Sequence, residues 1–304
     1  MTGKAPLRII ICTKHDLAGS LILNTLLPAM SDCTVTVLMS EKTRPVENAV
    51  AELAEIKFFE RDLPVDTLFP LLDAAESGGT APLLTFKGLA ARHGVAMRPI
   101  SDLNGPEGEA LVRDFAPDLI ISARFSLIFK QNIYDIPRLG TYNIHPGALP
   151  RYAGLFAPFR CMLEGGASIG CTLHRVDSGI DTGPVVGIGY LPIDPDRSLL
   201  WHVVNTYRPG IDLFLDLLDR VRQGAPVAVM PQDRSQRRYG SLPGAEMFHE
   251  FRAKGLKLFD PAEYLEILSG FLTPGQALPV IMAGFGGADG RMSGRGASCC
   301  CVPV

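Results

Sequence analysis

The order of its apolar segments limits the fold of this chain more than any other feature. Leu7 to Thr13 is a continuous, Ile-rich run of strand length, Leu17 to Met30 has helical spacing, and Thr34 to Met39 is a second strand-like run. Parallel strands need a crossover of at least about a dozen residues, and a helix of this length supplies one. The opening of the chain therefore predicts a β-α-β unit.

The alternation returns after a weakly patterned stretch, Ser40 to His93, in which Pro64 and Pro70 break helix-like pieces of uncertain layout. Further strands are predicted at Val95–Ile100, Asp118–Ser122 and Gly140–His145, with helices at Glu107–Phe115 and near Phe129–Tyr134. Strands spaced by helices predict a doubly wound, mostly parallel α/β sheet of the Rossmann type. Ligands bind such sheets beyond the carboxyl ends of the strands, so the loops after Thr13, Ser122 and His145 are the candidates for a site.

The rest of the chain predicts one catalytic domain, a small module and a tail. A helix at Leu155–Glu164, strands at Cys171–Val176 and Val185–Leu191, and a helix over 200–221 with a kink or break at Pro209 and Gly210 complete a domain of residues 1–222. Residues 223–273 form a small C-terminal module of mixed charge. The glycine-rich tail, 274–304, is predicted to be disordered.

Composition excludes several functions. With 29 Lys plus Arg against 32 Asp plus Glu, the net charge is −3, which does not favour nucleic-acid binding. The seven cysteines have neither a disulfide framework nor zinc-ligand spacing, and no apolar run approaches the roughly 18 residues of a membrane span. We therefore predict a cytoplasmic protein without a metal. Cys301 to Val304 formally fits a prenylation signal, but Pro303 is unusual there.

The chemistry-bearing residues lie where predicted strands end. Asn143 and His145 are two apart, so their side chains share one face of the strand. An amide can hold a developing oxyanion and an imidazole can move protons, a pairing that suits attack on a carbonyl or formyl carbon. Asp177 or Asp181, in the following glycine-rich loop, can orient the ring. The other histidines, at 15, 93, 174, 202 and 249, are interpreted as surface or partly buried polar residues.

The segment NIHPGALPRYAG (Asn143 to Gly154), followed by SGIDTGPVV around Asp181, resembles the 10-formyltetrahydrofolate-dependent formyltransferase family. The resemblance is best from Asp118 to Val186. It implies that Asn143, His145 and Asp181 are the catalytic triad and that 10-formyltetrahydrofolate is the co-substrate. Gly147 departs from the serine that many family members carry there; members acting on small amines often tolerate glycine.

By the same resemblance, the pterin end of the folate is held by the segment before the triad and by the loop that carries the aspartate. The implied cofactor-binding residues are Arg124, Phe125, Ser126, Leu127, Ile128, Val176, Asp177 and Gly179. An ordinary apolar strand end would also explain Leu127 and Ile128.

The acceptor is approached by exclusion. TKHDLAG (Thr13 to Gly19) is unlike the Gly- and Ser-rich phosphate loop of the purine-pathway enzyme, and 223–273 is about half the size of the basic domain of the transfer-RNA enzyme. What remains is a small amine, either an amino sugar on a nucleotide or a hydroxyornithine-type amine, with a homodimer left open. The alternatives are a formyltetrahydrofolate hydrolase and a non-catalytic folate-binding protein.

Overall fold

The computed structural model describes residues 5–41, 49–74 and 81–273 of the chain. In these ranges the strands are β1 Arg8–Lys14, β2 Thr34–Ser40, β3 Ala96–Ile100, β4 Leu119–Ala123, β5 Thr141–His145, β6 Ala153–Gly154, β7 Ser168–Arg175, β8 Val185–Pro192 and β9 Tyr239–Gly240. β6 and β9 pair with each other, and the other strands form one seven-stranded sheet.

The helices of the same ranges are α1 Leu17–Ala29, α2 Ala51–Lys57, α3 Phe69–Ala74, α4 Phe86–His93, α5 Pro106–Phe115, α6 Gln131–Tyr134, α7 Ala157–Leu163, α8 Leu199–Arg222, α9 Ala245–Ala253 and α10 Pro261–Ser269. The side chains of Asp16, Thr85 and Ser198 cap the N-termini of α1, α4 and α8, each by accepting from the backbone N–H three residues further on. None of these helices is long and apolar enough to cross a membrane.

The order of strands in the sheet is β3-β2-β1-β4-β5-β7-β8. β1 to β5 are parallel to one another, whereas β7 is antiparallel to both β5 and β8. The predicted doubly wound, mostly parallel α/β sheet is therefore confirmed. The reversal at β7 matters for the site, because it brings one end of β7 beside the carboxyl end of β5.

β1 shows why the sheet is covered on both faces. Successive strand side chains point to opposite faces. Ile9 and Ile11 pack in the main core with residues of α1 and α8, while Ile10 and Cys12 pack in a second cluster with Val112 of α5, and all four of these β1 side chains are fully buried. A strand buried on both sides needs the continuous apolar run that the sequence shows.

The weakly patterned stretch contains an irregular helical connection. π-helical segments at Phe58–Asp62 and Pro64–Leu68 join α2 to α3. In the wider π-helical turn the hydrogen bonds run from i to i+5, so the buried side chains of Phe59, Leu63 and Leu68 are four and five residues apart. The apolar residues of this stretch therefore do not follow the 3.6-residue period of an α-helix.

α8 runs without interruption from Leu199 to Arg222, so of the kink or break predicted at Pro209 and Gly210, the break is wrong. A Cβ atom on Gly210 would come within 2.5 Å of Cys171 Sγ and of the Ile144 side chain, which shows how closely the helix lies on the sheet. This packing stabilises α8 at Pro209 and Gly210, two residues that are unfavourable inside a helix.

The region predicted as a separate module packs against the rest of the chain. Phe251 of α9 stacks on Phe159 of α7 with ring centres 4.7 Å apart. The Tyr264 hydroxyl of α10 donates a 2.9 Å hydrogen bond to the carbonyl of Phe59. The boundary at residue 222 stays a prediction, and the tail, 274–304, lies outside the described residues.

Candidate active site

The candidate site is built where β5 ends between β4 and β7. Asn143 is directly opposite His174 in the antiparallel β5–β7 pair, and His145 is opposite Thr172. Directly opposed residues share a face, so these side chains lie together on one side of the sheet. The Thr172 hydroxyl also bonds the turn after His145, by donating to the Gly147 carbonyl at 2.6 Å and accepting from the Leu149 N–H at 3.1 Å.

The structure brings His145 and Asp181 together. His145 Nδ1 is 3.6 Å from Asp181 Oδ1, and both side chains are largely buried. The other carboxylate oxygen, Oδ2, accepts a 2.8 Å hydrogen bond from the N–H of Gly154. Asp181 has a φ of 54°, in the left-handed region that non-glycine residues seldom adopt. The side-chain amide of Gln232 holds the same loop by donating a 3.2 Å hydrogen bond to the carbonyl of Asp181.

The second ring nitrogen of His145 is fixed by the backbone. Nε2 donates a 2.6 Å hydrogen bond to the carbonyl of Tyr152. This contact depends on Gly147, because a Cβ atom at that position would collide with the Tyr152 carbonyl and lie 2.7 Å from His145 Nε2. Glycine at 147, the departure from the family noted in the sequence, is thus required by the orientation of the imidazole in this chain.

His174 joins this group, and its interpretation as a surface or partly buried polar residue is wrong. It is 3% exposed, and its Nε2 is 3.2 Å from Asn143 Nδ2 and 3.8 Å from Asp181 Oδ1. Nδ1 donates to the carbonyl of Arg175 at 3.0 Å. Burial lowers the pKa of His174 below its ordinary value, although the Asp181 carboxylate opposes that shift. A neutral ring with its proton on Nδ1 accepts from Asn143 at Nε2, and this fixes the orientation of the Asn143 amide.

His202 was also interpreted wrongly, since it is fully buried. Its Nδ1 donates to the Ser198 carbonyl at 2.7 Å, and its Nε2 accepts from the Asp194 N–H at 3.1 Å. Burial lowers the pKa of this ring too. These contacts anchor the start of α8, so His202 is a structural histidine, whereas His174 contacts Asn143.

A cavity of about 360 Å³ opens beside these residues. It is lined by Asn143, His145 and Asp181 and by all eight residues expected to hold folate, Arg124, Phe125, Ser126, Leu127, Ile128, Val176, Asp177 and Gly179. The first segment is fixed to β2 by a 3.0 Å hydrogen bond from the Ser126 N–H to Ser40 Oγ. In the second, the Asp177 carboxylate accepts from the Gly179 N–H and the Thr182 hydroxyl, at 3.1 and 2.6 Å.

A second charged group lines the same cavity. Arg124 Nε is 2.8 Å from Asp16 Oδ2, and an Arg124 terminal nitrogen is 2.5 Å from Glu60 Oε2. Burial would lower the pKa of the Arg124 guanidinium, but the carboxylates of Asp16 and Glu60 outweigh burial and raise it. The side chain of Arg124 is therefore held in this ion pair, and its backbone has a φ of 61°, in the left-handed region.

Comparison with known proteins supports the resemblance seen in the sequence. Residues 71–200 match the formyl transferase family. A methionyl-tRNA formyltransferase of Halorhodospira halophila is 31% identical over 178 residues, which cover 53% of this chain and 57% of that protein. One from Chlamydia pneumoniae is 38% identical over 138 residues, which cover 45% and 43%. The chain spans about half the length of the curated relatives it matches.

Solved structures show the same fold. A 4-N formyltransferase from Francisella tularensis aligns with a TM-score of 0.53 at 16% identity, over 90% of this chain and 91% of that one. A glycinamide ribonucleotide transformylase from Symbiobacterium toebii aligns with a TM-score of 0.51 at 16% identity, over 76% and 96%. The chain therefore has the Rossmann-like fold of formyltransferases. With the family match, this confirms the resemblance that the motif from Asn143 to Gly154 indicated.

Proposed function

We propose that the protein transfers the formyl group of 10-formyltetrahydrofolate to the amine of a small molecule. The observation that carries this proposal is the convergence of Asn143, His145 and Asp181 at the carboxyl end of β5, beside a cavity large enough for a ligand. A sugar 3N-formyl transferase whose structure aligns over 79% of this chain, with a TM-score of 0.50 and 18% identity, was crystallised with dTDP and 5-N-formyl-THF. That likeness in fold supports a folate donor.

The folate is placed by backbone rather than by charged side chains. Ser126 is fixed to Ser40, and Asp177 closes the turn of the opposite segment, so both segments present a rigid main chain to the cavity. The backbone N–H and C=O groups of such segments can pair with the donor and acceptor edge of a pterin. Phe125 and Leu127, packed on the second core cluster, supply the apolar faces that a flat ring needs.

The triad then acts on the formyl carbon. The neutral amine attacks that carbon, and the carbonyl electrons move to the oxygen. One N–H of the Asn143 side-chain amide donates to His174 Nε2. The other N–H stabilises the oxyanion. His145 and Asp181 accept the proton that the attacking nitrogen loses and return a proton to folate N10 as its bond to the formyl carbon breaks. The products are a formamide and tetrahydrofolate, so atoms and charge balance.

The acceptor proposed here is a small amine, a class that includes the amino sugar nucleotide and the hydroxyornithine-type amine. Methionyl-tRNA is the competing acceptor, since relatives matching half of the chain bear that name. The sequence of 223–273 does not favour it: Arg234, Arg237, Arg238, Arg252, Lys254 and Lys257 are balanced by Asp233, Glu246, Glu250, Asp260, Glu263 and Glu266.

The test is donor consumption with and without an acceptor. The protein is incubated with 10-formyltetrahydrofolate and with amino sugars, hydroxylamines, simple amines or methionyl-tRNA, and each acceptor is followed by mass for the gain of one formyl group. We expect the donor to persist alone and to be consumed when a small amine is added. Equal release of formate without an amine would support the hydrolase, and tight binding of 5-formyltetrahydrofolate without turnover would support the binding protein. Formylation of methionyl-tRNA alone would replace the small-amine proposal.

A further inference from the structure

The cavity beside the triad has two walls with different surroundings. On the donor side, Phe125, Leu127 and Val176 pack against the buried cluster that contains Ile10 and Leu103. The other wall is made by a separate buried cluster, and we call it the apolar wall. The members of this cluster that line the cavity include Leu53, Ile56, Phe156, Phe159, Val203 and Leu258.

The apolar wall draws on several elements and adjoins the triad directly. Leu53 and Ile56 lie on α2, Phe159 on α7 and Val203 on α8, while Leu258 precedes α10. Phe156 follows closely on Gly154, whose N–H bonds the Asp181 carboxylate. Phe156 also has a φ of 57°, a left-handed conformation that is costly for an aromatic residue. The apolar wall is therefore adjacent to Asp181 of the triad.

Except for Lys14, the lysines and arginines that line the cavity are already paired with carboxylates, which does not suit an anionic acceptor. Lys57 and Arg61 both contact the carboxylate of Asp62, at 3.4 and 2.9 Å. Asp16 is fully buried and accepts the Gly19 N–H at 2.8 Å, so the chain's own carboxylate fills the N-terminus of α1, where a phosphate would otherwise bind. Its charge and that of Glu60 are already matched by Arg124. A phosphate placed there would meet two carboxylates and one arginine that is already paired.

We infer that the acceptor is an amine that carries an apolar alkyl or aromatic body, held by the apolar wall, rather than a phosphorylated sugar or a zwitterion. This rests on the proposed formyl transfer and adds the class of its acceptor. An apolar body gains from leaving water, whereas a hydroxyl or phosphate against these side chains loses its hydrogen bonds to water without replacement. Only the amine reaches Asn143, His145 and Asp181.

The experiment uses the full chain, 10-formyltetrahydrofolate and straight-chain primary amines from propylamine to octylamine, whose basicities are nearly equal. The measured quantity is kcat/KM for the formamide. We expect it to rise about fourfold for each methylene that becomes buried, until the wall is covered. Glucosamine, a nucleotide-linked amino sugar and N-hydroxyornithine are measured beside them and should lie well below hexylamine.

A pair of neighbouring variants locates the effect. Val203→Thr adds a hydroxyl to the apolar wall, whereas Val204→Thr makes the same change on a residue that packs against the main core and does not line the cavity. We expect Val203→Thr to lower kcat/KM for hexylamine by about fivefold or more, and to lower it less for propylamine, because the longer chain buries the new hydroxyl. Val204→Thr should leave the dependence on chain length unchanged.

Lys14 tests the rival acceptor. It lines the cavity, and no ion pair or hydrogen bond of its side chain is found within the described part of the chain. If a nucleotide-linked or zwitterionic amine is the best substrate and Lys14→Met lowers its kcat/KM more than Val203→Thr does, the inference is overturned while formyl transfer stands. A flat profile along the alkyl series overturns it as well. If no amine of any class is formylated, the proposed function itself fails.

Discussion

Two charged groups lie at the same end of the sheet and line the same cavity, but they are built differently. The Arg124 guanidinium touches the carboxylates of Asp16 and Glu60 at 2.8 and 2.5 Å, within hydrogen-bond distance. The Asp181 oxygen that faces the histidines is 3.6 Å from His145 and 3.8 Å from His174, beyond that distance. We call the first group saturated, because its charges contact each other within hydrogen-bond distance. The second group is unsaturated in this sense.

The difference indicates which buried charges hold the fold and which act on a ligand. In the Arg124 group the buried charges neutralise one another, so removing one member leaves its buried partners uncompensated. An unsaturated cluster has less to lose on removal of a member, because its groups are positioned for atoms that the protein does not contain. We therefore expect substitutions in the Asp181 group to affect rate and those in the Arg124 group to affect stability.

The largest expected effect is on turnover. Asp181→Asn keeps an oxygen for the Gly154 N–H but removes the carboxylate from both histidines, so kcat should fall by about 10²–10⁴-fold, the usual contribution of positioned proton transfer. The free energy of unfolding should change by about 1 kcal/mol or less, since one neutral hydrogen bond is retained. Single-turnover formyl transfer and urea unfolding measure the two quantities. Retention of near wild-type rates would mean that Asp181 is a turn residue.

Arg124→Met should have the converse effect and lower stability more than rate. The variant leaves the carboxylates of Asp16 and Glu60 buried without a cation, which costs about 3–5 kcal/mol of stability. Arg252→Met is the matched control, because Arg252 also pairs with two carboxylates, Glu52 and Glu55, but its side chain is 53% exposed. That control should cost about 1 kcal/mol or less. Equal losses in the two variants would show that burial does not distinguish the Arg124 cluster from a surface ion pair.

Regular local patterns explain which parts of the fold and of the site the sequence could predict. The strands β1, β2, β4 and β5 were predicted to within a residue or so because each is largely buried and rich in the β-branched and aromatic residues that favour strands. Asn143 and His145 follow from their period of two on β5. The irregular stretch before residue 93 could not be predicted, because π-helical turns and Pro64 destroy the helical period.

His174 and the Arg124 cluster were missed for a different reason. The contact of His174 with Asn143 depends on the register of β7 against β5, and α7 and the loops between these strands hide that register in the sequence. Asp16 and Glu60 meet Arg124 from positions 108 and 64 residues away. One signal was available: His174 is in the predicted strand CTLHRV, at a position that alternation places with Thr172 on one face.

His174→Phe should have a smaller effect on rate than Asp181→Asn. The ring keeps its shape but no longer accepts from Asn143 Nδ2, so the amide loses the partner that orients it. Loss of a whole oxyanion donor costs about 10²–10³-fold, so loss of orientation alone should lower kcat by about tenfold. The KM for folate should hardly change. If His174→Gln, which retains an acceptor, is as slow as His174→Phe, then orientation of Asn143 is not the function of His174.

The smallest expected effect concerns acid stability, and it decides whether the Asp181 cluster is truly unsaturated. Burial, together with the neighbouring ring of His145, holds the pKa of His174 below its ordinary value of about 6.5, despite the charges of Asp181 and Asp177. Below that pH the unfolded chain binds a proton at position 174 that the folded protein does not. Folding is therefore stabilised by neutral His174 above about pH 6.5, and this contribution is lost as the pH falls toward the lowered pKa of the folded state.

The free energy of unfolding, measured by urea titration between pH 7 and 5, should decrease less steeply for His174→Gln than for the wild type, by at most about 1.4 kcal/mol per pH unit. His202→Gln should flatten the slope similarly, because burial also lowers the pKa of His202, but it should leave kcat near the wild-type value. An unchanged slope in His174→Gln would mean that the folded protein protonates His174 and that Asp181 neutralises it. The Asp181 group would then be a saturated ion pair like the one around Arg124, and the contrast between the two clusters would fail.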